Sequence, residues 1–485
     1  MKLIYNVQDK PKFGQLIVFA IQQLLAIMAA TLVVPIITNG SVAEAIGKGE
    51  IAWEFTREMS PAAALFGAGV GTLVYLLFTK FRSPVFLGSS FAFLGSMAAA
   101  FAGAVSMAAG YLGLVIGAVM AGLVYVVIAI AVKFAGVGWL NKLMPPVVIG
   151  PTVAIIGLSL AGNAVGDLQA GEVMKNVTQQ VISNGAIVEQ TVPVQVANVF
   201  VCILIGLVTL AVTMVCATYG KKMARLIPFI IGILAGYAVA AICTVIGNAA
   251  GIDALKVIDF GYFSALVEGG VGVKTFLALP KFTFLTAFGA FGELNGAYIG
   301  TIAAAYVPVA FVVFAEHVAD HKNISSIIEK DLLEDPGLHR TLLGDGIGSM
   351  AGAFFGGCPN TTYGESVGCV AITGNASVVT FIAAAVGAIL ISFITPFVAF
   401  VDSIPPCVMG GVCMALYGFI AVSGLKMVQK VNLEQNKNLF VVSVILIAGI
   451  GGLALNFGSV TITSIATALI LGILTNLLLN KAKEN

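Results

Sequence analysis

The stretch Pro359–Thr373, PNTTYGESVGCVAIT, decides how the chain is read. It places one carboxylate, Glu365, inside a run of hydrophobic segments, where an ionised side chain is costly and marks a functional position. It is also a poor continuous helix. Pro359, the β-branched pair Thr361–Thr362, Tyr363 and Gly364 favour extended backbone, and only Glu365 to Thr373 has helical character. That helical part would rise roughly 14 Å, about half of a hydrocarbon core of roughly 30 Å. A half-helix with a carboxylate at its N-terminus reads as a binding site inside a membrane protein.

Composition agrees. Of 485 residues, 59% are hydrophobic and 10% charged, against about 25% charged in soluble domains, so the expected fold class is an all-α polytopic protein seated in a lipid bilayer. A formal net charge of +1 argues against a nucleic-acid partner. The 56 glycines suit closely packed membrane helices, and pairs such as Gly67/Gly71 and Gly113/Gly117 have the spacing that lets helices approach. None of the seven cysteines shows metal-ligand spacing, so no metal or other cofactor is expected. No GxxxxGK[ST] loop occurs, which excludes transport powered by the chain's own nucleotide site. Lys2, Lys10 and Lys12 precede an apolar run long enough to span, read here as a retained first helix and not a signal peptide.

Fourteen apolar segments follow one another: Gly14–Ile37, Ser60–Thr79, Gly88–Met107, Tyr111–Val132, Pro145–Ala164, Val194–Thr218, Pro228–Ile246, Ile299–Val318, Leu338–Phe355, Pro359–Thr373, Ser377–Phe400, Ile404–Val422, Leu439–Leu455 and Ser459–Asn480. With both termini in the cytoplasm, the inside segments hold three times as many Lys and Arg as the outside ones, which supports that orientation in a cell membrane. Asp167–Gln190 and Gly247–Ala297 become long external connections; the second, with VIDFGYF and FLALPKFTFL, suggests an interfacial or re-entrant piece.

Two short matches recur in the same order. Ser89-Ser90-Phe91-Ala92-Phe93 has the form of Thr361-Thr362-Tyr363-Gly364-Glu365, and Met144-Pro145-Pro146 echoes Ile404-Pro405-Pro406. They fall in segments 3 and 10, then 5 and 12, as expected of a duplicated seven-span unit whose second copy is inverted. Segment 3 should then break near Phe91 as segment 10 does near Tyr363. The two extended pieces would meet as a short antiparallel β pair, each aiming half-helix N–H groups at one cavity.

The remaining charges sort by depth. Glu316, in FAEHVADH, follows the apolar run VPVAFVVFA and is expected to be functional; Asp320 shares its helix face four residues on. For Asp320 and His321, solvation at a helix end is an equal alternative. His339 reads as a loop histidine and Asp345 as a structural group bonded to a helix end. Gln22 and Gln23 read as packing glue or substrate contacts. Two carboxylates in one cavity repel, and such a group can take a proton on one side and release it on the other. A small planar neutral molecule with N–H and C=O on one edge fits carboxylate acceptors beside backbone donors.

FAEHVADH, DPGLHRTLLGDG and PNTTYGESVGCVAIT, with YNVQDKP, QQLLAIMAATLVVP and LGSSFAF, together resemble the nucleobase–ascorbate transporter family, in particular its uracil-permease branch. The resemblance implies fourteen helices in two inverted repeats: a core domain at 1–137 and 299–400, a gate domain at 138–248 and 401–485, and an external connection at 249–298. It also implies proton-coupled uptake of a nucleobase, uracil first, by a homodimer. Carried over by position, Glu316 and Glu365 would bind the base, Phe91, Tyr363 and Gly364 would contact its carbonyls or line the pocket, and Ala30 would lie against the ring. Glu316, Asp320 and Glu365 would carry the proton coupling.

Asp320 stands where uracil permeases have histidine, as in xanthine and urate members, and Ser366 replaces the usual asparagine. A xanthine or other purine permease is therefore the alternative within the family. Outside it, an anion transporter or channel on the same fold comes next. An enzyme is not expected, because no nucleophile–base set, metal cluster or cofactor loop is visible.

Overall fold

The computed structural model describes residues 3–136, 138–183, 186–221, 223–457 and 460–479. In chain order its principal elements are α1 (Phe13–Gly47), α2 (Pro61–Phe78), β1 (Leu87–Ser89), α3 (Leu94–Ala102), α4 (Met107–Ala135), α5 (Pro146–Ser159), β2 (Met174–Ser183), β3 (Ala186–Gln195), α6 (Val199–Tyr219) and α7 (Pro228–Ala250). Then come α8 (Gly296–Ile328), α9 (Leu338–Gly356), β4 (Asn360–Thr362), α10 (Gly364–Thr373), α11 (Val378–Ile391), α12 (Pro406–Val428), α13 (Asn436–Ile450) and α14 (Ser464–Leu479).

Each apolar stretch read from the sequence holds one of these helices. Among the described residues, eight helical segments are long and apolar enough to cross a bilayer, and four others are shorter apolar helices. The glycine-rich α9 and the ten-residue α10 are in neither group. Helix α1 outruns its expected end at Ile37 by ten residues because Asn39 does not break it. The Asn39 side chain instead donates to the Met59 carbonyl and accepts from the Met59 N–H, both at 2.9 Å. Other starts follow capping chemistry: Ser60 before Pro61 on α2, Ser106 on α4 and Asn295 on α8 each accept an N–H of the first turn.

The described chain forms two compact units. The first takes in the described residues of Met1–Ser159, Leu279–Ile394 and Tyr417–Asn485, and the second those of Leu160–Ala278 and Thr395–Leu416. In the first unit small residues set the helix spacing. A Cβ on Gly71 would lie 2.6 Å from the Gly348 carbonyl oxygen, and one on Gly348 2.7 Å from the Gly71 oxygen, so α2 and α9 touch backbone to backbone. Gly113 and Gly117 of α4 admit the rings of Tyr298 and Tyr306 from α8. The glycine pairs therefore close helix contacts within the chain.

In the second unit, Gly232 and Gly236 of α7 pack on the hydroxyls of Thr213 and Thr209 of α6. The stretch expected to be a polar connection at Asp167–Gln190 instead enters an antiparallel β2–β3 hairpin, with Met174 opposite Gln195 and Val181 opposite Val188. Asn184-Gly185 between the strands is the sequence signal for such a hairpin, although those two residues lie outside the described ones. Between the end of α7 and the start of α8, Gly247–Ala297 carries short helical turns at Gly261–Ser264, Val273–Phe276 and Thr283–Ala287 and 3₁₀ stretches at Asp253–Leu255 and Phe288–Glu293.

Candidate functional site

The site lies in the first unit, where two chain breaks meet. Strand β1 pairs antiparallel with β4, with Leu87 opposite Thr362, Gly88 opposite Thr361 and Ser89 opposite Asn360. The pair is extended by Ser90 N–H donating to the Pro359 carbonyl at 2.8 Å and Tyr363 N–H to the Phe86 carbonyl at 3.2 Å. The short β pair expected between segments 3 and 10 is therefore present. Gly88 is required there, since a side chain would run into the Tyr363 ring and the Thr31 hydroxyl. The Tyr363 hydroxyl donates to the Ser89 carbonyl at 2.6 Å and locks the crossing.

Each strand runs straight into a helix start. After β1 a 3₁₀ turn, Phe91–Phe93, leads into α3; after β4, Tyr363 leads into α10. Neither start has a side-chain cap: Ser90 and Tyr363 accept no first-turn N–H. The hydroxyls of Ser90 and Thr361 are buried without a hydrogen-bond partner. Two helix N-termini, with first-turn N–H groups that no N-cap side chain accepts and with positive dipole ends, thus meet at the β pair.

The carboxylates come to this place from α8 and α10. Glu316 and Asp320 lie one turn apart on α8 and Glu365 in the first turn of α10; all three are half-buried. Glu316 lies within electrostatic range of Asp320 and Glu365. Asp320 is tied across, its Oδ2 accepting the Thr362 hydroxyl at 2.7 Å. A Cβ on Gly364 would find only Asp320 Oδ1 within 4 Å, at 3.8 Å, and one on Gly95 or Gly368 would find nothing. The space in front of α3 and α10 is open. A cavity of about 600 Å³ lies among Pro146 and Ile149 of α5, Phe314, Val318 and Asp320 of α8, and Ser423 and Met427 of α12.

The other expected residues fall around these groups. Phe91 is half-buried, with its ring 6.1 Å from that of Tyr417. Tyr363 and Ala30 are 4% and 2% exposed, so the Tyr363 side chain is committed to the β pair, while the next residue, Gly364, is exposed. Gln23 donates to the Ser366 hydroxyl, which also accepts the Phe86 N–H at 3.2 Å, so Gln23 braces the crossing between α1, β1 and α10.

Two expectations are corrected. His321 is not solvated at a helix end: it is fully buried, with Nδ1 2.8 Å from the His317 carbonyl and Nε2 2.7 Å from the Tyr75 hydroxyl of α2. Asp345 bonds no helix end: its Oδ2 lies 2.7 Å from His317 Nδ1. Sequence reading missed this histidine pair. Its one signal is the matching i,i+4 spacing of His317/His321 on α8 and Thr341/Asp345 on α9.

Such a chain, helical and apolar with paired half-helices facing intramembrane carboxylates, is a multi-pass membrane permease in class. It belongs to the nucleobase–ascorbate transporter family: the Permease family model of xanthine and uracil permeases matches residues 14–457. The chain is 36% identical over 481 residues to the uracil permease of Bacillus caldolyticus, covering 99% of this chain and 95% of that protein. It is 33% identical to the uracil permease of Escherichia coli K12, at 96% and 92% coverage. It is also 30% identical to the putative pyrimidine permease RutG of the same strain, at 98% and 91%. Because these relatives are permeases, the chain is a transporter and not an enzyme. Among solved structures, murine solute carrier 26 member A9 aligns with a TM-score of 0.59 at 11% identity, over 98% of this chain and 69% of that one. The transmembrane domain of the cyanobacterial bicarbonate transporter BicA aligns at 0.55 and 14% identity, over 97% and 100%. Those two likenesses concern the fold alone.

Proposed function

We propose that this chain imports a nucleobase, uracil first, by proton symport. The observation that carries the reading is that Glu316 and Glu365 lie within electrostatic range of each other beside two half-helix starts without a side-chain cap. A uracil ring presents N–H and C=O groups alternately along its edge. The carboxylates accept the N–H protons, and backbone N–H groups at Phe91 and Gly364 donate to the carbonyl oxygens. Ala30 packs against the ring face, and Tyr363 holds the strand from which Gly364 departs. The names of the curated relatives support uracil.

In this reading Glu316, Asp320 and Glu365 share the coupling proton, because three like charges so close together favour having one of them neutral. The fourteen helices all cross the membrane as two inverted repeats, with both termini in the cytoplasm. The regions 1–137 and 299–400 form the core and the regions 138–248 and 401–485 the gate, and two copies work as a dimer. The β1–β4 crossing between matching segments supports the repeat, and cysteine labelling at loop positions in intact cells tests the topology.

Labelled-uracil uptake in cells lacking nucleobase transporters tests the function. Accumulation should collapse on adding a protonophore, and absence of uracil uptake overturns the reading. The purine alternative has one observation in its favour, the Asp320–Thr362 bond at a position where uracil permeases have histidine. Competition by unlabelled xanthine stronger than by unlabelled uracil would select it.

A further inference from the structure

On the strip of α8 about 100° round from Glu316 and Asp320, His317 and His321 stack with ring centroids 4.0 Å apart, and both are wholly buried. His317 lies between two groups of α9: Asp345 Oδ2 at 2.7 Å from Nδ1, and Thr341 Oγ1 at 3.0 Å from Nε2. The Thr341 hydroxyl also lies 3.0 Å from the Leu338 carbonyl, so it has two acceptors to choose between. When it donates to Leu338, its oxygen accepts Nε2–H, and the 2.7 Å contact with Asp345 must then contain a second proton. When it turns to donate to Nε2, Nδ1–H donates to an ionised Asp345, and the pair holds one proton fewer. Every one of these contacts stays hydrogen-bonded in either state except the threonine's own bond to Leu338. The site can therefore gain or lose a proton by rotating one hydroxyl.

His321 repeats the device. Its Nδ1–H is fixed on the His317 carbonyl. Its Nε2 faces the Tyr75 hydroxyl at 2.7 Å, and that hydroxyl lies 2.6 Å from Ser83 Oγ. A neutral His321 accepts from Tyr75, which accepts from Ser83; a protonated one reverses both bonds. Ser83 is buried but follows the exposed Phe81 and Arg82, so this chain of hydroxyls leads toward the surface. Two stacked imidazolium rings repel, so the pair carries one positive charge at most.

We propose that the His317–Asp345 pair, with the His321–Tyr75–Ser83 chain beside it, is a proton-binding site of the transport cycle separate from the carboxylates that face the binding space. The titratable groups around it are Glu316 and Asp320 on α8, Tyr75 on α2, Tyr125 on α4 with its ring 6.4 Å from His317 and its hydroxyl unpartnered, and Glu365 on α10. Among the described residues no Lys or Arg forms an ion pair with Asp345; its salt bridge is to His317. Because His317 and Glu316 are adjacent on one helix, a charge change at the pair acts on the substrate carboxylates through α8.

The role in transport rests on the proton-symport reading, but the proton site does not, and the two are tested apart. The sequence holds three histidines, so wild-type protein with isotopically labelled imidazoles gives three sets of nitrogen resonances. His317 Nε2 is expected to lose its proton as pH is raised over the range of the uptake assays, and to change state on adding uracil. A His317 that keeps one state throughout, with and without uracil, overturns the proposal without any variant. In vesicles, Asp345→Asn and His317→Gln should bind uracil within about threefold of wild type and retain uracil exchange, while proton-driven accumulation falls at least about tenfold. Wild-type pH-driven accumulation by both variants overturns the proposal, as does loss of binding together with exchange. If wild-type uptake ignores pH and protonophores, the symport reading fails while the imidazole spectra still decide the proton site.

Discussion

The Thr362 hydroxyl donates to Asp320 Oδ2 at 2.7 Å, so the last residue of β4 is bonded to α8, the helix that carries both Asp320 and Glu316. This bond couples the position of the α10 start to the rotation of α8. A hydrogen bond to a charged partner contributes about 1.5–3 kcal/mol, and Thr362→Val, which keeps the shape and removes the donor, leaves Asp320 without it. Uracil affinity should fall by about tenfold or more, while Thr362→Ser stays near wild type. Equilibrium binding to membranes of the three proteins checks this, and equal affinity in the valine variant shows that the bond is idle.

Open space around Gly364 separates a functional effect from a structural one. A methyl group there meets only Asp320 Oδ1 at 3.8 Å, so Gly364→Ala should leave the unfolding temperature of detergent-solubilised protein unchanged. It should nevertheless cut uracil uptake severely, because the methyl group occupies the place where a carbonyl oxygen would approach the α10 N-terminus. Gly71→Ala is the counterpart: its Cβ would lie 2.6 Å from the Gly348 carbonyl oxygen, forcing α2 and α9 apart at about 1–3 kcal/mol. Thermal unfolding should separate the two glycines in one experiment.

Much of this arrangement is legible in the sequence because local chemistry enforces it. Pro359, Thr361 and Thr362 cannot sit comfortably in a helix, and the matching Ser89–Phe93 segment begins at the last residue of their partner strand, Leu87–Ser89. What is not legible depends on residues far apart in the chain. His321 finds Tyr75 across 246 positions, and the Asn39 bonds that keep α1 helical reach Met59 in a loop. The β2–β3 hairpin is obscured for another reason: its glutamines, asparagine and lysine read as solvent-facing loop, and that polarity outweighs the same-side pairs Val177/Val192 and Val181/Val188.

Ser366 holds three pieces of chain at one oxygen. It accepts the Gln23 amide of α1 and the Phe86 N–H at the entry to β1 while standing in the first turns of α10. Ser366→Ala leaves two buried donors unpaired, at a cost of about 1–3 kcal/mol each. The expected result is lower thermal stability together with weaker uracil binding, because both half-helix starts lose their brace. Gln23→Leu on the alanine background should restore part of the stability by removing one orphaned donor. Unfolding midpoints of the single and double variants check the coupling, and strict additivity would show that the two side chains act independently.

The two site glutamates should respond differently from the braces around them. Glu316→Gln and Glu365→Gln keep size and an acceptor oxygen but remove the charge that, in the proposed binding mode, strengthens each bond to the substrate N–H groups. Each is expected to weaken uracil binding by about ten- to a hundredfold, from a loss of about 1.5–3 kcal/mol, with little change in unfolding temperature. Each should also flatten the pH dependence of uptake, since an amide cannot take up the coupling proton. Binding isotherms at two pH values, paired with uptake in vesicles, measure both effects. A glutamine variant with wild-type affinity and an unchanged pH profile removes that glutamate from the site.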